Sequence, residues 1–396
     1  MIRANDGFHL WSENYDSTST DTIAVQENIA EKIASVLDVV LDERKRDAMK
    51  QAGLRDAEAF TLYQKGIEVY ERAHGEMNTM EGLRQANEYF DQVIERVPTF
   101  SQVYLDHSDL FIHMLNDDAV GFSQSGFTAE EVANAYPAAI ADYEAAQQHA
   151  PSSAPRRMME LDLVYLSGNW RGLGGRIERA LDESGCNEGN WATIIADGFG
   201  YSEAFLERAL RILECDPRRS LSWFNVSRSA LRMGDKDEAL RLAREGTDIA
   251  PCSWLSMALV RSLVAHGRHE EARREIDNRI EDVEVAVALK ALVAAHEGDQ
   301  ARFNQLFEVL KSEKSSGNYW LLIVAAWGGL KEEANHLAGQ IDQHHFGAVT
   351  LISITEWCGC GAPFELDATP DLAAKLEESG LPWPPQPAMG YPLKDW

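Results

Sequence analysis

Apolar side chains recur at every third or fourth position along most of the chain, and short polar breaks containing glycine or proline separate these stretches. This spacing is typical of amphipathic α-helices. The clearest example lies between Pro217 and Pro251, which are 34 residues apart. Trp223 falls in the first predicted helix of this segment, and Gly234 with Asp235 supplies the turn before the second. The segment is therefore predicted to be a helix–turn–helix unit that ends at Pro251.

The same turn recurs along the chain, each time as a glycine followed five residues later by a small or apolar residue. These pairs are Gly234 with Ala239, Gly267 with Ala272, Gly298 with Phe303, and Gly329 with Ala334. Successive turn glycines are 33, 31 and 31 residues apart. A period of about 34 residues that contains two helices is that of the tetratricopeptide repeat (TPR), whose units bury their apolar faces by stacking on one another.

The chain resembles a TPR array over residues 57–345, strongly at 218–272 and weakly at 186–217. We count about eight units, with irregular spacing at 110–135 and 186–217. The resemblance implies an all-α fold, a right-handed helical solenoid whose concave face binds proteins or peptides. The resemblance also implies a packing aromatic residue in the first helix of a unit. Trp191, Trp223 and Trp320 fall at that position, so we expect them in the core.

Residues 1–50 show a different pattern. Residues 5–7, Asn-Asp-Gly, are a tight-turn signal, and apolar and polar residues alternate after it from Phe8 to Tyr15. A helix is predicted to follow from Asp21. The stretches IRANDGFHLWSE and AVQENIA resemble the end of the TolB-type α/β domain that precedes TPR arrays in bacterial signalling proteins. We therefore expect a short β-hairpin plus helix, the remnant of such a domain, with a strand edge through which two copies form a homodimer.

Residues 346–396 lose the helical periodicity, and five prolines between Pro382 and Pro392 prevent a continuous helix there. We expect a proline-rich extended strap that lies back on the last helices and caps their exposed faces, with Trp383, Tyr391 and Trp396 as anchors. A disordered tail is the alternative.

The net charge of the chain argues against nucleic acid as a partner. The chain has 64 acidic and 37 basic residues, for a formal net charge of -27, which repels nucleic-acid phosphates. Neither a signal peptide nor a run of 18 apolar residues is visible in the sequence. Its five cysteines are an odd number scattered through a long chain, which fits a reducing compartment. We expect a soluble cytoplasmic protein, or a periplasmic one if an anchor precedes this sequence.

Three groups of residues are candidates for chemistry, and for none of them do we predict a metal, a cofactor or catalysis. Cys358 and Cys360 can start a metal or redox site, but zinc needs four ligands and there is no second cysteine pair. His266 and His269 flank a turn glycine and lack the glutamate of an HExxH motif. A third group offers oxygen and imidazole ligands to a cation, or else forms a solvated helix end. It consists of Asp106, His107, Asp109, His113, Asp117 and Asp118.

The resemblance to TPR proteins also implies which residues line the concave groove, by counting from the turn glycines. These residues are Leu221, Phe224, Arg228, Leu231, Arg232, Trp254, Met257, Arg261 and Val264. Three arginines beside aromatic and apolar side chains in an acidic protein predict a site for an acidic peptide or a C-terminal carboxylate. The alternative is that the arginines only neutralise the nearby Asp235, Asp237 and Glu238.

These features favour a non-catalytic scaffold that binds protein or peptide partners in a solenoid groove. One alternative is the regulatory or sensory half of a bacterial signalling protein, of cyclase or transcription-regulator type, whose output part precedes this sequence. The second is a metal or redox protein that uses Cys358 and Cys360.

Overall fold

The computed structural model describes residues 56–75, 79–122, 126–183, 191–215, 217–313 and 317–386. Within these ranges the chain forms 18 α-helices and no β-strand, so the prediction of an all-helical, TPR-like repeat is confirmed. The predicted hairpin and helix of residues 1–50 lie outside the described ranges. None of the described helices has the length and apolar character that crossing a membrane requires.

Sixteen of the helices form eight consecutive pairs, and the two helices of each pair pack against each other. The first helices of the pairs are α1 (Ala57–Gly75), α3 (Ser101–Val120), α5 (Ser153–Leu166), α7 (Ala192–Gly198), α9 (Ser220–Arg232), α11 (Ser253–Ala265), α13 (Val283–Glu297) and α15 (Tyr319–Trp327). The second helices are α2 (Thr79–Arg96), α4 (Ala129–Gln148), α6 (Leu173–Leu181), α8 (Ser202–Cys215), α10 (Lys236–Ile249), α12 (His269–Arg279), α14 (Gln300–Glu313) and α16 (Lys331–Asp342).

The turns inside the last four pairs are made by the glycines that the sequence predicts. Gly234, Gly267, Gly298 and Gly329 have φ values between 68° and 86°, a left-handed conformation that residues with a Cβ atom rarely adopt. The predicted packing tryptophans are also confirmed, since Trp191, Trp223 and Trp320 are all buried.

After α16 the chain forms α17 (Gly347–Cys358), a 3-10 turn (Leu366–Ala368) and α18 (Pro370–Ser379). The prediction of an extended strap is therefore wrong for these three segments. The physical reason is composition: α17 is apolar on all sides, with Glu356 as its one charged residue, so it has no amphipathic period to detect. A helix that is apolar on all sides is buried on all sides.

The repeat array returns to its own beginning. At one junction, the Asn318 amide before α15 donates a hydrogen bond of 2.7 Å to the Val120 carbonyl at the end of α3. At another, Trp254 Nε1 on α11 donates to the His74 carbonyl at the end of α1, also at 2.7 Å. At a third, Lys375 on α18 donates to a carbonyl of the turn between α5 and α6. The pairs thus form a closed arrangement around α17.

Candidate functional site

Helix α17 occupies the position that the predicted groove leaves for a partner. All its residues from Gly347 to Glu356 are buried. The first helices of six pairs contact it: α3, α5, α7, α9, α11 and α15. In that order, and with the residue of α17 second, the contacts are Asn116 with Thr350, Tyr165 with the Val349 carbonyl, Gly198 with Ile352, Arg228 with Glu356, Trp254 with Trp357, and Trp327 with the Cys358 carbonyl. The groove is therefore filled by the chain itself.

Arg228 is the electrostatic centre of this arrangement. Its guanidinium forms ion pairs with Glu356 of α17 and, at 2.8 Å, with Asp197 of α7. The arginine side chain is 3% exposed and the two carboxylates are fully buried. Burial lowers the pKa of Arg228 to about 10, against the Asp197 carboxylate, which acts to raise it. The side chain therefore keeps its charge at neutral pH and compensates two buried acids.

Arg261 binds the backbone carbonyl groups at the C-terminal end of α17. Its Nη2 atom donates hydrogen bonds of 2.6 Å to the Trp357 carbonyl and 3.1 Å to the Cys358 carbonyl. The last carbonyls of a helix lack intrahelical partners and carry partial negative charge, which a cation stabilises. Arg261 thus caps the C-terminal end of α17.

Arg232 lies one turn after Arg228 on α9 and is 1% exposed. In the described part of the chain, none of its three guanidinium nitrogens has a hydrogen-bond partner. Burial lowers the pKa of Arg232, and the nearby Asp197 carboxylate opposes that shift. Two nitrogens of Arg228, Nε and Nη2, also lack a hydrogen bond of good geometry. The two arginines therefore differ in their ion pairs: Arg228 forms two, and Arg232 forms none among the described residues.

Three aromatic rings hold the end of α17 against the array. Trp357 stacks on Phe224 with ring centroids 5.3 Å apart and packs on Trp254 at 4.7 Å. Phe224 and Trp254 also contact each other at 5.8 Å. Both partners of Trp357 are predicted groove residues, and in the folded chain they pack on this tryptophan.

The other predicted groove residues differ in their burial. Leu231, Met257 and Val264 are buried in the core. Leu221 is 40% exposed. Whether any of the predicted set binds a separate peptide stays a prediction.

The expectation that acids near the turn neutralise the arginines is wrong for Arg228, whose partners are Asp197 and Glu356. Of the acids near the turn, Asp237 instead pairs with His266, and Glu238 pairs with another arginine of its own helix.

The acidic and histidine side chains of the cluster on α3 contact different partners. Asp106 accepts a hydrogen bond of 2.8 Å from the Tyr63 phenol, and its burial raises the pKa of the carboxyl to about 6. His107 lies between Asp142 at 2.7 Å and Asp91 at 3.3 Å. Burial acts to lower the pKa of His107, but these two carboxylates raise it to about 9.

The remaining members of the cluster lie further along α3. Asp109 is 5% exposed and contacts His113 on its own helix and His74 on α1. Burial raises the pKa of Asp117 to about 7. A solvated helix end is therefore wrong for Asp106 and Asp109, because α3 packs its acids against neighbouring helices.

The remaining candidates for chemistry are the cysteine pair and the histidine pair. Cys358 and Cys360 are joined by a disulfide, so neither sulfur is a free thiolate in this state. His266 and His269 do not share a ligand: His266 pairs with Asp237, whereas His269 contacts a histidine on α13.

An accessible groove lies elsewhere, between α4 and α5. Its volume is about 550 Å³, and it is open to solvent. Its walls are mostly apolar, and each lining residue is half-buried or exposed. They are formed by Tyr136, Pro137, Ile140, Ala141, Glu144, Leu163, Val164 and Ser167.

No protein-family model and no curated protein matches this chain in sequence. Among solved structures, the TPR domain of P58(IPK) is similar at 12% identity, over 80% of this chain and 98% of that one, with a TM-score of 0.19. A superposition of that quality carries no argument about shape or function. The assignment of a TPR-like fold rests instead on the eight helix pairs and their left-handed turn glycines.

Proposed function

We propose that the chain is a non-catalytic protein-interaction scaffold that is closed on itself: its concave groove holds α17, and partners dock on the outer surface. The observation that carries this proposal is the identity of the groove's occupant. Arg228 and Arg261, the residues expected to bind a carboxylate and a peptide terminus, bind Glu356 and the carbonyl end of α17. In this proposal the predicted groove residues act within the chain.

The energetics of α17 support this proposal. Val349, Leu351, Ile352 and Ile354 are each at most 3% exposed. Burying one such side chain contributes about 1.5–3 kcal/mol, so exposing four costs on the order of 6–12 kcal/mol. That is as much as the whole free energy of unfolding of a typical domain, about 5–15 kcal/mol. We therefore expect α17 to stay in the groove of the folded chain.

The surface that we assign to a partner is the groove between α4 and α5. Apolar walls with few polar groups are typical of sites that take an anchoring side chain. The groove also carries Glu144, in a chain whose net charge is -27. We therefore expect a protein partner that inserts an apolar side chain flanked by basic residues.

The test is an affinity pull-down from a lysate of the source organism, with quantitative mass spectrometry of the retained proteins. Ile140→Glu and Val164→Glu place a charge in the groove, and Val283→Glu is the matched control at an apolar residue that is 69% exposed. We expect the control to retain the same partner as the unmodified chain. Each groove variant should lose at least about tenfold in affinity, which is about 1.4 kcal/mol. Equal retention by all four proteins would contradict the proposal.

A second candidate function is the regulatory half of a signalling protein, and the observation in its favour is the resemblance of residues 2–13 and 24–30 to the end of a TolB-type domain. The reading frame upstream of Met1 in the source genome tests it. A continuous frame that encodes an α/β domain and an output domain supports this candidate, whereas an in-frame stop codon just upstream contradicts it.

Sedimentation at high protein concentration tests the homodimer, and cell fractionation tests the cytoplasmic location.

A further inference from the structure

Two imidazoles and a carboxylate converge at the interface of α1 and α3. His74 is in the last turn of α1, and Asp109 and His113 are four residues apart on α3. Residues with that separation lie on the same face of a helix, one above the other. The end of α1 passes over this face, so three side chains from two helices meet at one point.

The three ligand atoms are close enough to share one ion. His74 Nε2 is 3.0 Å from Asp109 Oδ2, and His113 Nε2 is 3.7 Å from the same oxygen. The three atoms lie within 4.8 Å of one another. Two ligand atoms each about 2.1 Å from one ion are about 3.0–3.4 Å apart at bond angles of 90° to 109°. The His74 pair already has this separation, and small side-chain rotations bring His113 to it.

The orientation of His74 is that of a metal ligand. Its Nδ1 atom is 2.9 Å from the Tyr70 carbonyl, which can only accept a hydrogen bond, so Nδ1 carries the hydrogen. In the metal-free chain Nε2 donates to Asp109, and a bound ion would replace that hydrogen and take the Nε2 lone pair. A histidine that donates its second N–H group to a backbone carbonyl is the common arrangement around protein-bound metals, because it fixes the tautomer and the ring plane.

Asp109 supplies the independent observation that points to a ligand. The residue is 5% exposed, and apart from its ion pairs with the two imidazoles its Oδ2 atom has no hydrogen-bond partner among the described residues. Asp106, one turn earlier, is a second buried acid, at 6% exposure. Burying a carboxylate is costly unless a cation compensates it. The His74 and His113 side chains are 23% and 28% exposed, so an ion and its water ligands can enter from solvent.

We propose that His74, Asp109 and His113 bind a divalent first-row transition ion, with Zn²⁺ the first to test. Two imidazoles and one carboxylate with the remaining positions open to water form a known donor set for such ions. The site lies beside a long-range contact, because the His74 carbonyl accepts the hydrogen bond from Trp254 on α11, the first helix of the sixth pair. Bound metal therefore stabilises this contact in addition to that between α1 and α3.

Binding is tested on the full chain after chelator treatment, by titrating Zn²⁺ against a chromophoric chelator and counting ions per chain. We expect one tight ion for the unmodified chain, and affinities lowered at least tenfold by Asp109→Asn and by His113→Gln. The matched control is His269→Gln, because His269 is part of the other close histidine pair, 2.9 Å from His296 and 3.3 Å from Glu297. This control should leave the tight ion in place.

A second measurement does not depend on any variant folding correctly. Addition of Zn²⁺ to the unmodified, metal-free chain should raise its midpoint of thermal unfolding, since an ion that binds only the folded state stabilises it. Absence of both this rise and a tight ion overturns the proposal. So does a tight ion that is lost in His269→Gln and kept in Asp109→Asn.

Discussion

At the scale of single residues, the core of this protein depends on which buried charges have partners. Arg228 compensates two fully buried carboxylates, Asp197 and Glu356. Arg232, one turn away on the same helix, is as deeply buried, but it forms no ion pair among the described residues. Removing one partner of a buried ion pair leaves an uncompensated charge, whereas removing a poorly paired charge relieves a desolvation cost.

The two arginines therefore respond differently to the same substitution. Arg228→Met should lower the free energy of unfolding by about 3–5 kcal/mol, because two carboxylates lose their counter-charge. Arg232→Met should change it by less than about 1 kcal/mol, or raise it, because an apolar side chain of similar length replaces a charge. Urea-induced unfolding followed by circular dichroism measures both. An equal loss in the two variants would show that the ion pairs of Arg228 are not what distinguishes them.

At the scale of helices, the packing of α17 against α7 is close enough to test directly. A Cβ atom added to Gly198 would lie 2.5 Å from Ile352 Cγ2. Gly198→Ala should overpack this contact at a cost of about 1–3 kcal/mol. Ile352→Ala should leave a cavity at a cost of about 2–5 kcal/mol.

The double variant Gly198→Ala, Ile352→Ala should cost less than the sum of the two, since the new methyl group enters the space that the isoleucine vacates. The free energies of unfolding of the four proteins form a double-mutant cycle that measures this coupling. Additive costs would mean that the two residues are not in contact.

The same helix explains what the sequence could and could not predict. The pairs α9 to α16 follow from a repeated local signal, the turn glycine and the small residue that follows it, so they are visible residue by residue. Helix α17 has no such signal, because its burial depends on helices distant in sequence. The run from 347 to 358, nearly free of charge, was the available clue, since only full burial suits such a helix.

The arginines of the groove show the same limit. Counting from Gly234 and Gly267 predicted that Arg228 and Arg261 act on a carboxylate and a peptide end. Their actual partners, Glu356 and the last carbonyls of α17, are about 100 positions away or more in the chain. Residue type and helical position predict the chemistry of a contact. The partner is determined by long-range packing, which no local pattern contains.

At the scale of the whole molecule, the enclosure of α17 changes which surface of the repeat array is open to a partner. An open solenoid presents a long concave surface to partners, whereas here six first helices are used to enclose α17. The ring is completed by contacts between helices far apart in the chain, such as Trp254 to the His74 carbonyl and Asn318 to the Val120 carbonyl. What remains accessible is the outer surface, which is where we place the partner.

The measurement that tests this account most directly is amide hydrogen exchange of α17 in the full chain, followed by mass spectrometry of peptides that cover 347–358. A helix at the centre of the fold exchanges only when the whole molecule unfolds. We therefore predict that its amides are protected as strongly as those of α9 and α11. Exchange of α17 that is much faster than in those helices would contradict the account, because the groove would then be open to an external ligand.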